Sequence, residues 1–501
     1  MTIYNINYSI GWASSGIEYA QFYRAKMLRD QKESLKFVFL DLLTHENIQT
    51  LTSHMGYYDD EIIWLYQYFT DIKIAPTSYT VEDLIDTLDM KITRREEQKK
   101  TIKLFSEVNQ TYVVCYLKEQ GKPYVDRAEF VSRGKLIRKD FYTYTRTFSE
   151  YYAPHENRAK VYMRQFYNED GSIAYNEYLN NNGHLYMFKD RILYSKQEFV
   201  AYFMKCLHLT SKDIVIVDRS KGMGQPVIQN KGDSKLGVVI HAEHYSSNFT
   251  NDDYILWNNY YEYVFSHVNE VDFYIAATDR QKAVLSHQFN QYYGNLPKIY
   301  TVPVGSIHDV IKPDNRKPYS VITASRLASE KHIDWLVKAV VKAKQSIPDL
   351  IFDIYGEGAE RNMLQKLIEE NEANHYIKLL GHVKLQDVYA NYELFFAGST
   401  SEGFGLTLME AIGSGLGMIG FDVDYGNTTF IGHNENGYLI PIDKSYQSEQ
   451  EIVDNLAEAV IQFFKNDTSS FHEKSYELAE HFKTDNIKQK WFHLIEEVLH
   501  D

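Results

Sequence analysis

The segment Gly398–Gly415 combines residue types that could bind a sugar linked to a phosphate. Gly403 and Gly405 carry no side chains, so the main-chain amides beside them can approach an anion closely. Glu402 stands at the start of this glycine turn, and Glu410 lies about 12 Å further on if one continuous helix joins them. Because a carboxylate repels a phosphate, this pair is suited to bind hydroxyl groups on either side of one. An ordinary turn followed by a solvated Glu is the competing interpretation of this segment alone.

Local patterns on both sides of the turn predict the elements that hold it. Leu394–Ala397 is a short apolar run, which is typical of a buried parallel strand. After the turn, apolar side chains recur at helical spacing, at Leu406, Leu408, Met409 and Ile412. The segment is therefore predicted to be a strand, a glycine turn and a helix, with bare main-chain amides at the start of the helix.

Two cations and a second glycine turn follow neighbouring predicted strands. Arg326 and Lys331 come after the strand Tyr319–Ala324, and Gly356 ends the strand Leu350–Tyr355. Cations of this kind stabilise the charge that grows on a diphosphate as its bond to a sugar breaks. Each of them is a common surface residue when it is considered singly, so it is their combination with the Glu402 turn that indicates a site.

Further candidates lie in the first half of the chain. His241 ends the apolar strand Leu236–Ile240, and a purely structural histidine is equally compatible with that position. The turn Gly11–Gly16 follows the first predicted strand, where open parallel sheets often meet a phosphate. No cluster of residues has metal-ligand spacing and there is no P-loop, so we expect Arg and Lys to neutralise any bound nucleotide without a metal.

Composition excludes several classes of function. A net charge of -15 argues against binding of nucleic acid or of an anionic membrane. Cys115 and Cys206 have no zinc-like spacing and are expected to be buried free thiols. The N-terminus lacks the pattern of a secretion signal, and no apolar stretch is long enough to span a bilayer. We therefore expect a cytoplasmic protein.

Strand and helix patterns alternate before residue 75 and after residue 196, which predicts an α/β fold with two doubly wound, Rossmann-like domains facing a cleft. We expect residues 1–75 and 196–315 to form the first domain, residues 316–485 the second, and residues 486–501 a helix that crosses back. Residues 76–195 instead predict an inserted antiparallel β-meander. Its predicted strands are Thr111–Leu117, Arg127–Val131, Lys135–Tyr144, Lys160–Tyr167, Ser172–Tyr175 and His184–Phe188.

Many of the 41 tyrosines are crowded between residues 110 and 265, and within the insertion they alternate with Arg or Lys. One face of the sheet is therefore expected to be both aromatic and polar. Such a face is either half-buried with its hydroxyls in water or a flat surface that docks another protein.

The motifs of the C-terminal two hundred residues resemble a known family. Ser401-Glu-Gly-Phe-Gly-Leu406, with Glu410 following, resembles the retaining nucleotide-sugar glycosyltransferases of family four, which have the GT-B architecture. Ala324–Lys331 resembles the family's donor-phosphate loop, and Gly356-Glu-Gly358 and Gly437-Tyr-Leu439 resemble its later turns. One segment departs from the pattern, since Tyr425–Thr429 stands where many members have Gly-Gly-x-x-Glu.

Across the whole chain, the Gly11–Gly16 turn, the tyrosine-rich insertion and His241–Tyr245 resemble the catalytic subunits of protein O-GlcNAc transferases that modify serine-rich repeat adhesins of Gram-positive bacteria. The resemblance implies UDP-GlcNAc as co-substrate, no tightly bound cofactor, and Ser/Thr acceptors on the adhesin before its export. It also implies a hetero-oligomer with a related, catalytically inactive subunit, and at most peripheral association with the membrane.

The resemblance also implies roles for individual residues. Glu402 would contact the donor sugar with His241 beside it, and Glu410 would contact the ribose. Arg326 and Lys331 would hold the diphosphate. The remaining donor contacts would come from Gly16, Gly356, Gly403, Phe404, Gly405, Leu406 and Thr407.

Two alternatives remain open from the sequence. One is the same chemistry on a wall polymer of the teichoic-acid type, whose regular negative charge would require a basic groove. The other is a non-catalytic chaperone subunit that only binds glycosylated adhesin, against which the intact Glu402, Arg326 and Lys331 argue.

Overall fold

The computed structural model describes residues 1–12, 16–29, 34–107, 110–156, 158–181, 183–443 and 445–500. The chain divides into two compact units. The first unit contains Met1–Ala25, Gln31–Val238 and Asn259–Asp272. The second unit contains Lys26–Asp30, Val239–Asn258 and Phe273–Asp501.

The first α/β sheet has seven strands in the order β17-β16-β15-β14-β1-β2-β3. Its strands are β1 (Thr2–Asn7), β2 (Ser34–Phe39), β3 (Ile62–Trp64), β14 (Ile214–Val217), β15 (Lys235–Ile240), β16 (Phe273–Ala276) and β17 (Ile299–Thr301). The accompanying helices are α1 (Gly16–Leu28), α2 (Ile48–Met55), α3 (Leu65–Tyr68), α5 (Lys196–Cys206), α6 (Gly224–Ile228), α7 (Glu262–Ser266) and α8 (Asp279–Tyr293). The short helix α4 (Val81–Asp86) instead packs on apolar residues of the insertion such as Ile102 and Leu104. All four residues of β14 are buried, as expected for a parallel strand with both faces covered.

The insertion is a ten-stranded sheet whose order follows the chain from β4 to β13. Its strands are β4 (Arg94–Gln98), β5 (Thr101–Ser106), β6 (Thr111–Leu117), β7 (Val125–Ser132), β8 (Lys135–Tyr142), β9 (Arg146–His155), β10 (Arg158–Tyr167), β11 (Ile173–Asn180), β12 (Gly183–Met187) and β13 (Ile192–Leu193). Every neighbouring pair is antiparallel. The predicted meander is confirmed, and it contains more strands than the sequence indicated.

Tyrosines of this sheet fall into two groups. Tyr175 and Tyr186 are buried, and Tyr175 donates its hydroxyl to the carbonyl of Tyr66 at 2.7 Å. Their rings stack with Phe166 and Phe199, which joins the sheet to α5 within the first unit. Tyr162 is exposed. The interpretation that the tyrosine hydroxyls lie in water is therefore wrong for Tyr175 and Tyr186, which pack against α5.

The second α/β sheet has six parallel strands in the order β20-β19-β18-β21-β22-β23. These are β18 (Ser320–Ala324), β19 (Ile351–Tyr355), β20 (Ile377–Gly381), β21 (Leu394–Phe396), β22 (Gly417–Phe421) and β23 (Gly437–Ile440). The helices are α9 (Ile333–Ala343), α10 (Arg361–Glu370), α11 (Leu406–Gly413), α12 (Gly426–Phe430), α13 (Glu449–Lys465), α14 (Thr468–Glu480) and α15 (Thr484–His500). Val321 and Ile322 of β18 belong to different apolar clusters, because successive side chains of a strand point to opposite faces.

A buried polar network stabilises the first unit. Arg24 on α1 forms a bidentate ion pair with Asp218, which follows β14. Its two guanidinium nitrogens donate to the two carboxylate oxygens at 2.9 and 2.8 Å. Arg24 also donates to Asn5 at 2.7 Å, and Gln21 donates to Asp218 at 2.7 Å. Both partners of the ion pair are almost completely buried, so each requires the other to offset its loss of water.

Cys115 is a buried free thiol as expected, whereas Cys206 is free but only partly buried. None of the described helices is both long and apolar enough to cross a bilayer.

Candidate active site

The structure brings Lys331 and Glu402 together. Lys331 ends the short 3-10 turn Ser329–Lys331 that follows β18, and Glu402 lies between β21 and α11. The Lys331 Nζ donates to the Glu402 Oε2 at 2.7 Å, and both side chains are largely removed from water. A primary amine and a carboxylate are thus fixed side by side at the ends of neighbouring strands.

The turn after Glu402 depends on a glycine and on a neighbouring loop. Gly405 has φ +85°, a left-handed conformation that favours glycine, and α11 begins at the next residue. The main-chain carbonyl of Glu402 accepts hydrogen bonds from the amides of Tyr425 and Gly426 at 2.9 and 2.8 Å. Since α11 begins only at Leu406, no continuous helix joins Glu402 to Glu410, and the 12 Å estimate along one helix axis does not apply.

The first turn of α11 supplies main-chain donors. Leu406 and Thr407 are its first two residues, and amides at such positions have no partner within their own helix. The Phe404 side chain is buried and packs edge-on against Phe430. Only the main chain of Phe404 is therefore placed to meet a ligand.

Glu410 lies on α11 and is partly buried. The Tyr389 hydroxyl donates to its Oε2 at 3.2 Å. Burial raises the pKa of the Glu410 carboxyl from 4.5 to about 7, against the smaller opposing effect of that hydrogen bond. The carboxyl therefore changes protonation near neutral pH, and its ionised form is a strong acceptor for hydroxyl groups.

His241 directly follows β15 and lies against the Glu402 turn. A Cβ atom placed on Gly403 would come within 2.4 Å of the His241 carbonyl oxygen. The contact is possible only because residue 403 has no side chain. The structure thus brings the predicted His241 and Glu402 segments into contact within the second unit.

The other predicted residues are less closely joined. Arg326 is 76% exposed in its side chain and pairs with Glu330 at 2.9 Å rather than with Glu402. Gly356 has φ +133°, and a Cβ there would lie 1.8 Å from the Ser325 carbonyl oxygen, so it packs tightly beside the Arg326 loop. Gly16 begins α1 in the first unit. The rest of the Gly11–Gly16 turn includes residues 13–15, which lie outside the described residues.

A surface hollow of about 490 Å³ lies elsewhere in the second unit, beside β17, α8 and α15. None of the predicted site residues lines it. Among the described residues, no group of three or more His, Cys, Asp or Glu side chains is arranged to hold a metal ion. The candidate site is therefore defined by the loops that meet around Glu402.

Two family models match the chain. One describes the GtfA extended beta-sheet domain and matches residues 94–190, and the other describes group 1 glycosyl transferases and matches residues 307–484. A Streptococcus pneumoniae protein named UDP-N-acetylglucosamine–peptide N-acetylglucosaminyltransferase GtfA subunit is 51% identical and covers 100% of both chains. This chain belongs to the GtfA family of glycosyltransferases.

Solved structures of GtfA proteins agree with this assignment over the full length. The pneumococcal O-GlcNAc transferase GtfA in complex with UDP and GlcNAc matches with a TM-score of 0.94 at 51% identity, covering 100% of this chain and 99% of the other. A GtfA/B complex structure matches with a TM-score of 0.95 at 49% identity, covering 100% of both chains. The expected GT-B fold with an inserted β-meander is confirmed.

Sequence reasoning missed two side chains that support the GtfA site. Tyr389, from the short turn before β21, contacts Glu410. Tyr425 follows β22, and its amide binds the carbonyl of Glu402. Neither tyrosine belongs to a pattern that spacing along the chain could reveal, although the departure at Tyr425–Thr429 marked the second one as unusual.

Proposed function

We propose that this chain transfers N-acetylglucosamine from UDP-N-acetylglucosamine to serine and threonine hydroxyls of a protein, with retention of the anomeric configuration. The observation that carries the proposal is the ion pair between Lys331 and Glu402 beside the start of α11. It sets a cation suited to a diphosphate next to an acceptor suited to sugar hydroxyls. The pneumococcal relative, named for UDP-N-acetylglucosamine and a peptide, supports the same substrates here.

In the proposed reaction, the bond between the anomeric carbon and the diphosphate oxygen breaks. The acceptor oxygen forms a new bond to that carbon on the same face, and its proton passes to the departing diphosphate. No separate strong base is then required. The charge that grows on the diphosphate is stabilised by Lys331, by Arg326 and by the amides at the start of α11.

The remaining residues position the donor. Glu402 binds sugar hydroxyls with His241 beside it, and Glu410 binds the ribose hydroxyls. The main chain supplies further contacts at Gly16, Gly356, Gly403, Phe404, Gly405, Leu406 and Thr407. Holding the reacting groups in register in this way lowers the barrier without any additional chemistry.

Substitution of the ion pair tests the proposal. Lys331→Ala and Glu402→Ala should each lower transfer to a Ser/Thr-rich peptide by on the order of 10² to 10³, measured by mass shift of the peptide. Lys338→Ala and Glu449→Ala are matched controls, because these residues form an ion pair between α9 and α13. The controls should keep full turnover. Unchanged turnover in both site variants would remove the proposal.

We also propose that the acceptor is a serine-rich repeat adhesin, modified in the cytoplasm before export, and that a related inactive subunit completes a hetero-oligomer. The GtfA/B complex of a relative supports the partner. Transfer to an uncharged serine-rich peptide should be insensitive to salt, and should increase when the partner is added. A wall polymer with repeating phosphates would instead be modified in a strongly salt-dependent manner.

The proposed site works without a metal ion. Dialysis against a chelator should therefore leave transfer unchanged, because Lys331, Arg326 and main-chain amides take the role of a cation. Activity that disappears on chelation and returns with a divalent metal would contradict this part of the proposal.

A further inference from the structure

The segment that departs from the family pattern, Tyr425–Thr429, connects two parts of the proposed site. On one side, the amides of Tyr425 and Gly426 bind the main-chain carbonyl of Glu402. On the other side, the Tyr425 hydroxyl lies 3.3 Å from His244 Nδ1, and the two rings stack with their centres 5.6 Å apart. Both side-chain contacts depend on the aromatic ring and hydroxyl of Tyr425.

His244 is a buried member of this arrangement. Its side chain is fully buried, and its Nε2 lies 2.7 Å from Gln288 Oε1 on α8. Since an amide oxygen can only accept, Nε2 carries the proton and Nδ1 accepts from the Tyr425 hydroxyl. Burial lowers the pKa of His244 to about 4. The ring is therefore neutral at physiological pH, and it serves as a fixed hydrogen-bonding link rather than as an acid or a base.

The backbone between His241 and His244 is held firmly by its neighbours. The buried Gln281 on α8 donates to the Ala242 carbonyl at 3.0 Å. Asn258 donates its main-chain amide to the His244 carbonyl at 2.9 Å. His241 and His244 belong to one short segment, so the Tyr425 contact at His244 and the Gln281 contact at Ala242 together set where the His241 main chain lies.

We propose that Tyr425 and His244 are positioning residues that fix the His241 segment relative to Glu402. This inference rests on the proposed function, in which Glu402 binds the donor sugar with His241 beside it. Tyr425 holds Glu402 through its main chain and the His241 segment through its side chain. The pair sets the alignment of the sugar for transfer, while the diphosphate and ribose contacts lie on Lys331 and α11.

Two carboxylates, Asp424 and Glu243, adjoin Tyr425 and His244 in the sequence. Asp424 pairs with Arg280 at 2.8 Å, and Glu243 accepts from the Ser401 hydroxyl at 3.3 Å. Burial raises the pKa of Glu243, and Asp424 adds to that shift. Burial lowers the pKa of His244 by more than Asp424 raises it, so the ring stays neutral at physiological pH and the expected effect of the pair is geometric and not a change in the pH profile.

The test compares Tyr425→Phe with Tyr438→Phe. Tyr425→Phe keeps the stacked ring and removes only the hydroxyl. Tyr438→Phe, on β23, likewise removes only a hydroxyl, which accepts a hydrogen bond from Asn466 at 2.8 Å. We expect Tyr425→Phe to lower kcat for sugar transfer about fivefold, the size of one ordinary hydrogen bond. Its affinity for UDP should change less than twofold. Tyr438→Phe should leave kcat unchanged while lowering the melting temperature to a similar extent.

A double-substitution cycle with His244→Phe provides the second readout. If the pair acts as a unit, Tyr425→Phe in the His244→Phe background should cause little further loss of kcat. The inference is overturned if Tyr425→Phe lowers the melting temperature but leaves kcat intact, since that is the signature of a merely structural contact. Failure of the proposed function is separate, because it would appear as full turnover in Glu402→Ala.

Discussion

Glu410→Gln tests whether the partly buried carboxyl of Glu410 binds the ribose at a cost in stability. The pKa of Glu410 is raised from 4.5 to about 7. In the unfolded chain this carboxyl loses its proton near pH 4.5, whereas in the folded protein it keeps the proton until about pH 7. The unfolded state therefore binds fewer protons in this window, and the free energy of unfolding falls as pH rises through it. A shift of 2.5 units corresponds to about 3 kcal/mol, which is an upper bound because the site can relax.

Glutamine has the same shape and can still accept from Tyr389, but it never has to ionise. Relative to wild type, Glu410→Gln should therefore gain up to about 3 kcal/mol of stability between pH 4.5 and pH 8.5. The melting temperatures of the two proteins, compared at several pH values without nucleotide, report this change. Glu369→Gln is the matched control, because Glu369 is an exposed carboxylate on α10 that also has a hydrogen-bond partner. A difference between Glu410→Gln and wild type that does not vary with pH would refute the reasoning.

The affinity for the donor should rise with pH, whereas the stability falls. The ionised carboxylate accepts ribose hydroxyls better than the neutral acid does, so the affinity of wild type for UDP-GlcNAc should rise from pH 6 to pH 8. The increase cannot exceed about tenfold per pH unit, because a single proton is released. Glu410→Gln should bind the donor more weakly at pH 8, with little pH dependence. Calorimetric titration with UDP-GlcNAc measures both proteins.

Three further substitutions have expected outcomes. Gly403→Ala forces a Cβ against the His241 carbonyl, so we expect a loss of about 1–3 kcal/mol of stability together with transfer activity, measured by melting temperature and peptide mass shift. Gly16→Ala should leave the melting temperature unchanged and weaken UDP binding, and normal UDP affinity would remove Gly16 from the proposed site. Asp218→Ala leaves the Arg24 guanidinium buried without its carboxylate, and should cost about 3–5 kcal/mol by denaturant unfolding without changing the donor KM of the protein that remains folded.

Much of the fold followed from local patterns. Strands with alternating or continuous apolar residues were found at nearly their true positions, such as Thr111–Leu117, which is identical to β6. The strand β4 was missed because Arg94–Gln98 is entirely polar, with four charged residues, and is exposed at every residue. It is a strand only because β5 pairs with it, and such pairing leaves no trace in the strand's own sequence.

The proposed site was predicted to a similar degree. Glycine spacing and charge pointed to Glu402 and Lys331, and the end of an apolar strand pointed to His241, because those signals lie within short segments. Tyr389 and Tyr425 were missed, because each reaches the site from a loop whose own sequence carries no chemical pattern. The domain boundaries and the individual roles of the site residues stay predictions.

Gly403 and Gly16 differ in the space around them, and this difference distinguishes a glycine required for packing from one that leaves room for a ligand. From sequence, an absent side chain is interpreted as room for an anion. At Gly403 that room is already filled by the carbonyl of His241, so the glycine is required by the protein's own loops whether or not a donor binds. At Gly16 no described atom lies within 4 Å of a Cβ, apart from its own chain neighbours, and its φ is ordinary. Alanine would be tolerated there by the fold, so the proposed donor contact at Gly16 can be tested separately from stability. Loss of donor binding without loss of stability is therefore expected at Gly16, whereas loss of both together is expected at Gly403.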